Sequence, residues 1–251
     1  MSKPSFLFIH GAWHWGGCFQ KATTLLAAAG YPTMAPDLTS HGYNATPWQN
    51  IDSMATYTAP ARALLEQSPG KVILLGHSLG GAVLSYLAQT FPEKISALVY
   101  LTAFMTPPGQ STNDYSRLCA EDPSCAAFFK LLSVTEDRAG LKLDLDQPAL
   151  LQEALYTDCS ERDIDIVRRN ALPINSRVPI FYKPERVTPH SRFYITCAQD
   201  HVIPLSMQQR MIEDVPGAII YELETGHAPF FSDPVALTTI LAQIACHPAC
   251  T

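Results

Sequence analysis

Short runs of hydrophobic residues alternate with longer amphipathic segments along most of the chain. Runs of strand length lie at residues 6–10, 32–36, 71–75, 95–103, 192–197 and 218–223. Segments of helical length lie between or after them, at residues 18–29, 51–67, 82–91, 205–214 and 235–245. The run at 71–75 is continuous in Val, Ile and Leu after its first residue, which is typical of a parallel strand buried on both faces. This alternation predicts an α/β fold with a mostly parallel sheet flanked by helices.

The alternation stops between residues 106 and 189. This stretch has helical propensity, carries more charge, and is broken by prolines at 107, 108, 123, 148, 173, 179, 184 and 189. Because the stretch cannot continue the sheet, we expect it to be an inserted, mainly helical cap. The predicted core is then formed by residues 1–105 and 190–251.

The charge balance narrows the classes of partner. Lys and Arg number 17 against 23 Asp and Glu, which gives a net charge of −6 at pH 7 without a basic cluster. Nucleic acids and anionic membranes bind concentrated positive charge, so we expect neither as a partner. No apolar run reaches the roughly 18 residues of a membrane span. The first ten residues are too short and too soon polar for a secretory signal, and we expect a cytoplasmic protein.

The seven cysteines are predicted to be reduced thiols. No CxxC or Cys/His spacing suggests a zinc site, so we expect no bound metal. The pairs Cys119/Cys125 and Cys246/Cys250 are close enough in sequence to form disulfides in an oxidising compartment. Reduced thiols are favoured because nothing in the sequence marks the chain for export.

Residues 76–81, Gly-His-Ser-Leu-Gly-Gly, fit the pattern G-x-S-x-G between a predicted buried strand and a predicted helix. In this pattern the serine lies on a strained turn that lifts its hydroxyl above the sheet, and small neighbours let strands and helix approach. A glycine-rich turn without chemistry is the alternative, but the flanking elements favour Ser78 as a nucleophile. His77 lies on the wrong side of the turn for a base, so we expect it to pack or to line a pocket.

A serine nucleophile needs a histidine base, and the histidine needs an acid that fixes its tautomer. His227 follows the predicted strand 218–223, and Asp200 follows the predicted strand 192–197. Their order after Ser78 and their places at strand ends favour these two residues as base and acid. Taken alone, Asp200 could be a turn or helix-cap residue and His227 a surface residue. His201 and His247 are weaker candidates for the base.

The transition state of acyl transfer carries an oxyanion that backbone N–H groups stabilise. One donor is expected from the residue after the nucleophile, Leu79. The other is expected from the loop after the first strand, where we assign Ala12. A glycine-containing turn after a strand needs no catalytic explanation, so this assignment depends on the pairing with Ser78.

Taken together, these motifs match those of a known family along nearly the whole chain. The chain resembles the plant methylesterase and hydroxynitrile lyase branch of the α/β-hydrolases, together with related bacterial carboxylesterases. The matching pieces are residues 8–12 (Phe-Ile-His-Gly-Ala), residues 76–81, Gln199-Asp200, Gly226-His227, and residues 155–160 (Leu-Tyr-Thr-Asp-Cys-Ser) in the cap. The resemblance implies an α/β-hydrolase fold and a cofactor-free enzyme, often a homodimer, with a small cap over a buried apolar pocket.

The sequence departs from this family at three places. Hydroxynitrile lyases carry threonine or asparagine where Gly11 stands, and the threonine type adds a lysine where Ala228 stands. Family members tend to place a tryptophan in the cap, whereas Trp13, Trp15 and Trp48 lie outside it. We therefore expect other aromatic residues in the pocket wall, each of which could instead be a plain core residue. The candidates are Trp13, Phe104, Tyr115, Phe128, Phe129, Phe181 and Tyr182.

The leading hypothesis is a serine carboxylesterase that hydrolyses small, uncharged, hydrophobic or aromatic esters through an acyl-enzyme. A hydroxynitrile lyase that uses the same triad is one alternative. A receptor-like homologue that binds a small molecule with little turnover is another, although a pure receptor needs no intact triad. Lactone or amide hydrolysis shares the esterase mechanism and stays open.

Overall fold

The computed structural model describes residues 3–250. Its strands are β1 (Ser5–Ile9), β2 (Thr33–Met34), β3 (Val72–Ser78), β4 (Ile95–Ala103), β5 (Leu132–Val134), β6 (Gly140–Leu143), β7 (Ile174–Ser176), β8 (Ser191–Cys197) and β9 (Ala218–Leu223). Its α-helices are α1 (Gln20–Ala28), α2 (Met54–Tyr57), α3 (Ala59–Gln67), α4 (Gly80–Thr90), α5 (Thr112–Cys119), α6 (Ala126–Lys130), α7 (Pro148–Ala154), α8 (Glu161–Asn170), α9 (Val178–Phe181), α10 (Leu205–Asp214), α11 (Pro229–Ser232) and α12 (Pro234–Ala245).

The main sheet has six strands in the order β2-β1-β3-β4-β8-β9. All its neighbours pair in parallel, with Leu74 of β3 opposite both Leu7 of β1 and Leu98 of β4. Strand β3 is buried along its whole length because it lies near the middle of the sheet and is covered on both faces. The predicted parallel sheet flanked by helices is confirmed.

The helix predicted at 51–67 is divided in two. α2 ends at Tyr57 and α3 begins at Ala59, with Thr58 between them. Pro60 lies in the first turn of α3, where its missing N–H costs nothing. The same proline inside one continuous helix would remove a hydrogen bond and clash with the preceding turn. Pro60 was therefore a signal in the sequence for this break, although the hydrophobic pattern did not show it.

The predicted cap region contains α5 to α9 and also a second, antiparallel sheet in the order β5-β6-β7. The expectation of a mainly helical cap did not include this sheet. Its strands are three or four residues long, too short to show an alternating pattern. They bring leucines from β5 and β6 towards the edge of the main sheet where the candidate residues lie.

All seven cysteines are free thiols, so neither Cys119/Cys125 nor Cys246/Cys250 forms a disulfide. Six of the thiols are buried, and Cys246 is exposed. Within residues 3–250, no helix combines the length and the apolar character that crossing a membrane requires.

Candidate active site

Ser78 is the last residue of β3 and stands directly before the helix α4. Its φ is +54°, a left-handed conformation that is uncommon outside glycine and that marks the sharp turn expected of a nucleophile elbow. Gly80 allows the helix to approach β1, since a Cβ at this position would lie 2.8 Å from the carbonyl oxygen of Ile9. The sequence therefore folds into a tight strand–turn–helix around the serine.

Asp200 and His227 follow the carboxyl ends of the neighbouring strands β8 and β9 and meet there. The Nδ1 of His227 lies 2.7 Å from Oδ2 of Asp200, and both residues are buried. With the carboxylate as acceptor, Nδ1 donates, so that Nε2 is left to accept a proton. A surface position for His227 is thus excluded by its burial.

The carboxylate of Asp200 has a full set of donors. Its Oδ1 accepts from the backbone N–H groups of Val202 and Ile203, at 2.7 and 2.9 Å. Its Oδ2 accepts from Thr102 Oγ1 at 2.5 Å in addition to His227. Because a buried polar group is costly unless it is hydrogen-bonded, this set of donors satisfies both oxygens of the buried carboxyl group. Asp200 thus accepts hydrogen bonds from the backbone of residues 202 and 203, as a turn residue does, and also contacts the imidazole of His227.

Two further contacts hold the loop that carries His227. The Nε2 of His77 lies 2.8 Å from the backbone oxygen of His227, to which it donates. The N–H of Gly226 donates to Oδ2 of Asp158, at 3.0 Å. Asp158 belongs to the cap segment 155–160, so this contact connects the cap to the loop of the candidate base.

One cavity contains Ser78 and His227 together with Ala12 and Leu79, the two expected oxyanion donors. Of the aromatic candidates, Trp13, Phe104 and Phe128 also line this cavity. Apart from His227 and His14, no lining side chain is ionisable in the part of the chain that the structure describes. The cavity is thus suited to an uncharged, largely apolar molecule.

The structure places the other aromatic candidates outside the cavity lining. Tyr115 is buried, and its hydroxyl donates to Asp214 Oδ2 at 2.7 Å. Phe129 lines a neighbouring groove on the cap, which shares Ser116, Leu132, Leu141 and Ile180 with the cavity wall. Phe181 is 44% exposed and lies beneath the guanidinium of Arg177. Tyr182 packs edge-on against Tyr86.

The remaining residues of the cavity wall were not predicted as pocket residues from the sequence. These residues are His14, Thr112, Ser116, Leu132, Leu141, Leu155, Ile180 and Val202. His14 could have been found, because it lies two residues after Ala12 in the same loop. Leu132 and Leu141 come from the cap sheet that the pattern did not reveal, so no signal marked them.

His14 connects the oxyanion loop to the cap. Its Nδ1 donates to the carbonyl of Ala12 at 3.0 Å, and its Nε2 accepts from the hydroxyl of Tyr156 at 3.0 Å. Burial lowers the pKa of His14 from 6.5 to about 4, and burial raises the pKa of Tyr156 well above its usual value. Both groups are therefore neutral near pH 7, which fixes the direction of the two hydrogen bonds.

Trp13 forms a second connection of the same kind. Its indole Nε1–H donates to the carbonyl of Leu141 on β6, at 3.1 Å. Its φ is +60°, which is uncommon for a bulky residue and shows that the loop after β1 is held in a strained form. The neighbour Ala12 is thereby held beside Ser78 at the cavity wall.

Within residues 3–250, no group of three or more His, Cys, Asp or Glu side chains is arranged to hold a metal ion. The buried histidines around the site contact one another and Phe230 through their rings. His77 lies 4.6 Å from His227 and 5.4 Å from His14, measured between ring centroids.

Comparison with known proteins identifies the family. The α/β hydrolase family matches residues 6–239. A pyrethroid hydrolase from Sphingobium wenxiniae is 32% identical over 255 residues, which cover 99% of this chain and 90% of that protein. Methylesterase 1 from Arabidopsis thaliana is 31% identical over 257 residues, which cover 97% of this chain and 96% of that protein.

Solved structures agree with this assignment. The crystal structure of a pyrethroid hydrolase from Sphingobium faniae superimposes with a TM-score of 0.88, at 30% identity over 98% of both chains. The resemblance inferred from the sequence motifs is confirmed. The chain belongs to the α/β hydrolase family, in the branch that contains plant methylesterases and bacterial pyrethroid hydrolase.

Proposed function

We propose that the protein is a serine carboxylesterase in which Ser78, His227 and Asp200 form the catalytic triad. The observation that carries this proposal is the meeting of Ser78 and His227 in one cavity, with Nδ1 of His227 bound to a buried carboxylate. The similarity of the chain to a pyrethroid hydrolase and a methylesterase indicates that it is a carboxylic ester hydrolase. The proposal adds to this assignment the identity of the triad and the class of substrate.

Acylation begins when the Oγ of Ser78 attacks the ester carbonyl carbon. Nε2 of His227 takes the hydroxyl proton, and Asp200 stabilises the imidazolium that forms. The carbonyl oxygen becomes an oxyanion, which accepts hydrogen bonds from the backbone N–H groups of Ala12 and Leu79. The imidazolium then gives its proton to the alkoxide, which leaves as an alcohol and leaves the acyl group on Ser78.

Deacylation repeats these steps with water. His227 accepts a proton from the water as its oxygen attacks the acyl carbon, and a second oxyanion forms in the same place. The proton returns to Oγ of Ser78 as the acid leaves. The reaction thus consumes one ester and one water, releases one acid and one alcohol, and restores the enzyme.

The lining of the cavity supports small, uncharged, hydrophobic or aromatic esters as the substrate class. Apolar and aromatic side chains form most of the wall, and Trp13 and Phe128 meet edge-on at 6.1 Å. An anionic substrate would lose its hydration there without gaining a charged partner. The two relatives, a pyrethroid hydrolase and a methylesterase, agree with small-molecule ester substrates.

The experiment is a panel of nitrophenyl, methyl and bulky aromatic esters, assayed with wild-type protein and with Ser78→Ala. We expect hydrolysis by the wild type and loss of turnover in the variant, with folding and ligand binding retained. A fluorophosphonate should label one residue, and peptide mapping should place the adduct on Ser78. More than a few per cent of wild-type kcat in Ser78→Ala, or an adduct elsewhere, would disprove the assignment.

A further inference from the structure

Thr102 occupies an irregular position next to the nucleophile strand. In the pairing of β3 with β4, His77 lies opposite Leu101 and Ser78 lies opposite Ala103, so Thr102 has no partner on β3. The residue is an extra one in β4, which makes this point a β-bulge. Bulges re-aim side chains, and they occur preferentially beside active sites.

The backbone of Thr102 is strained as well. Its φ is +35°, and Thr102 is fully buried. A β-branched residue at positive φ is an outlier, and such strain persists only where the surrounding structure enforces it. The position thus combines a bulge with a conformation that a regular strand would not contain.

The result of this geometry is a contact between Thr102 and the candidate acid. Thr102 Oγ1 donates to Oδ2 of Asp200 at 2.5 Å, and the same oxygen accepts from Nδ1 of His227 at 2.7 Å. The other oxygen, Oδ1, is held by two backbone N–H groups. Oδ2 is therefore shared between the threonine and the imidazole.

We propose that Thr102 is a positioning residue that sets how strongly the Asp200–His227 pair holds a proton. This inference rests on the proposed triad. A hydrogen bond to Oδ2 disperses the negative charge that faces the imidazole, so the carboxylate stabilises the imidazolium less. Without the hydroxyl, the full charge of Oδ2 faces His227, and the imidazole keeps its proton to higher pH. The base is then available over a narrower pH range.

Most titratable side chains around the pair do not change charge in the neutral range. His201, which follows Asp200 in the chain, points elsewhere, since its Nδ1 lies 2.9 Å from the carbonyl oxygen of Glu153. The other titratable side chains that face the pair are Tyr194 and Cys197 on β8, Cys119 on α5, Cys125 before α6, His77 on β3 and His14 in the loop after β1. Burial raises the pKa of the phenol and of the three thiols, and burial lowers the pKa of both histidines. The carboxylate of Asp158 bonds to the backbone of Gly226 and not to the imidazole. A shift of the pH profile between pH 5 and 8 therefore reports on the Asp200–His227 pair.

The test compares Thr102→Val, which keeps the shape and removes the donor, with Thr102→Ser, which keeps the donor. We expect the acid limb of kcat/KM against pH to move up by about half to one pH unit in Thr102→Val, and to return in Thr102→Ser. The matched control is Thr196→Val, since Thr196 is equally buried on β8 but donates to the carbonyl of Tyr221. The profile of kcat/KM against pH should not shift in Thr196→Val.

A second measurement does not depend on turnover. In the Ser78→Ala background, the Nδ1 proton of His227 should be followed by NMR as pH changes, with Thr102 unchanged, with Thr102→Val and with Thr102→Ser. We expect its titration to move up in parallel with the kinetic profile. Superimposable titrations in all three Thr102 forms, or a Thr102→Ser that behaves like Thr102→Val, would reduce Thr102 to a packing residue and overturn the proposal. A failure of the triad itself would show separately, as activity that survives Ser78→Ala.

Discussion

Gly11 and Ser78 lie closer together than a methyl group would allow. A Cβ on Gly11 would stand 2.8 Å from Cβ of Ser78 and 3.1 Å from Nδ1 of His77. A glycine at position 11 could in principle leave room for water and alcohol during catalysis. The structure shows that the nucleophile elbow already fills this room, so glycine is needed here for the packing of the elbow itself.

The first prediction follows from this contact. Gly11→Ala should reduce kcat on aryl esters by on the order of 10²-fold, because the new methyl group must displace the nucleophile. Steady-state kinetics, with circular dichroism to confirm folding, would measure the effect. The control is Gly70→Ala, since a Cβ at that position meets no atom within 4 Å. Full activity in Gly11→Ala would contradict the prediction, since it would show that the turn around Ser78 accommodates a methyl group without loss of catalysis.

The role of Asp200 leads to a second prediction. Asp200→Asn should lower kcat by on the order of 10⁴, by analogy with the protease aspartate whose amide variant stabilises the wrong imidazole tautomer. The comparison variant is Asp158→Asn, which alters a carboxylate that contacts Gly226 rather than the imidazole. We expect a much smaller loss there. A loss below tenfold in Asp200→Asn would mean that another group orients the base.

Two neighbouring phenylalanines allow a matched test of substrate selection by the cap. Phe128 lines the cavity that contains Ser78, whereas Phe129 lines only the neighbouring groove. Phe128→Ala should change the relative kcat/KM of small and bulky esters by roughly 1–3 kcal/mol. Phe129→Ala should change all esters by a common factor. Equal losses for every ester in Phe128→Ala would identify this ring as core and not as pocket wall.

The same pair of residues shows where sequence analysis reaches its limit. Residues 205–214 and 218–223 match α10 and β9 residue for residue, because the amphipathic pattern and the nearby prolines and glycine fix them. Ser78, Asp200 and His227 were proposed as the triad from their order and their places at strand ends, and the structure brings His227 into contact with Asp200. Adjacent residues of a short helix face different ways, so Phe128 and Phe129 were indistinguishable without the packing.

Thr102 illustrates a different limit. Its part in the site arises from a shift in register between β3 and β4, which is a relationship between two strands. Within its own strand, Thr102 is one polar residue in an apolar run, and β-branched residues are common in strands. The cap sheet was not predicted for a similar reason, since its short strands are defined by their pairing and not by their own sequence pattern.

A fourth prediction concerns the pH dependence of stability. Burial lowers the pKa of His14 from 6.5 to about 4, so the unfolded chain binds a proton below pH 6.5 that the folded protein does not. The free energy of unfolding should therefore fall as pH drops from 6.5 to 4, by about 3 kcal/mol from this residue. The side chain in His14→Gln is neutral at both pH values. Between them, the free energy of unfolding of this variant, measured with urea, should fall by less than that of the wild type, by about 3 kcal/mol. Parallel losses in both proteins would contradict the prediction.

The last prediction separates ester hydrolysis from cyanohydrin cleavage. Cleavage of a cyanohydrin needs a group that holds the substrate hydroxyl near the serine and, in the threonine type of lyase, a positive charge for the departing cyanide. Gly11 has no side chain to hold a hydroxyl, and Ala228 is a fully buried methyl group that carries no charge. We expect hydrolysis of simple aryl esters and no cyanide release from mandelonitrile above the uncatalysed rate. Both reactions should be assayed on one preparation, with Ser78→Ala as the blank. Cyanide release that outpaces ester hydrolysis and disappears in Ser78→Ala would establish the lyase instead.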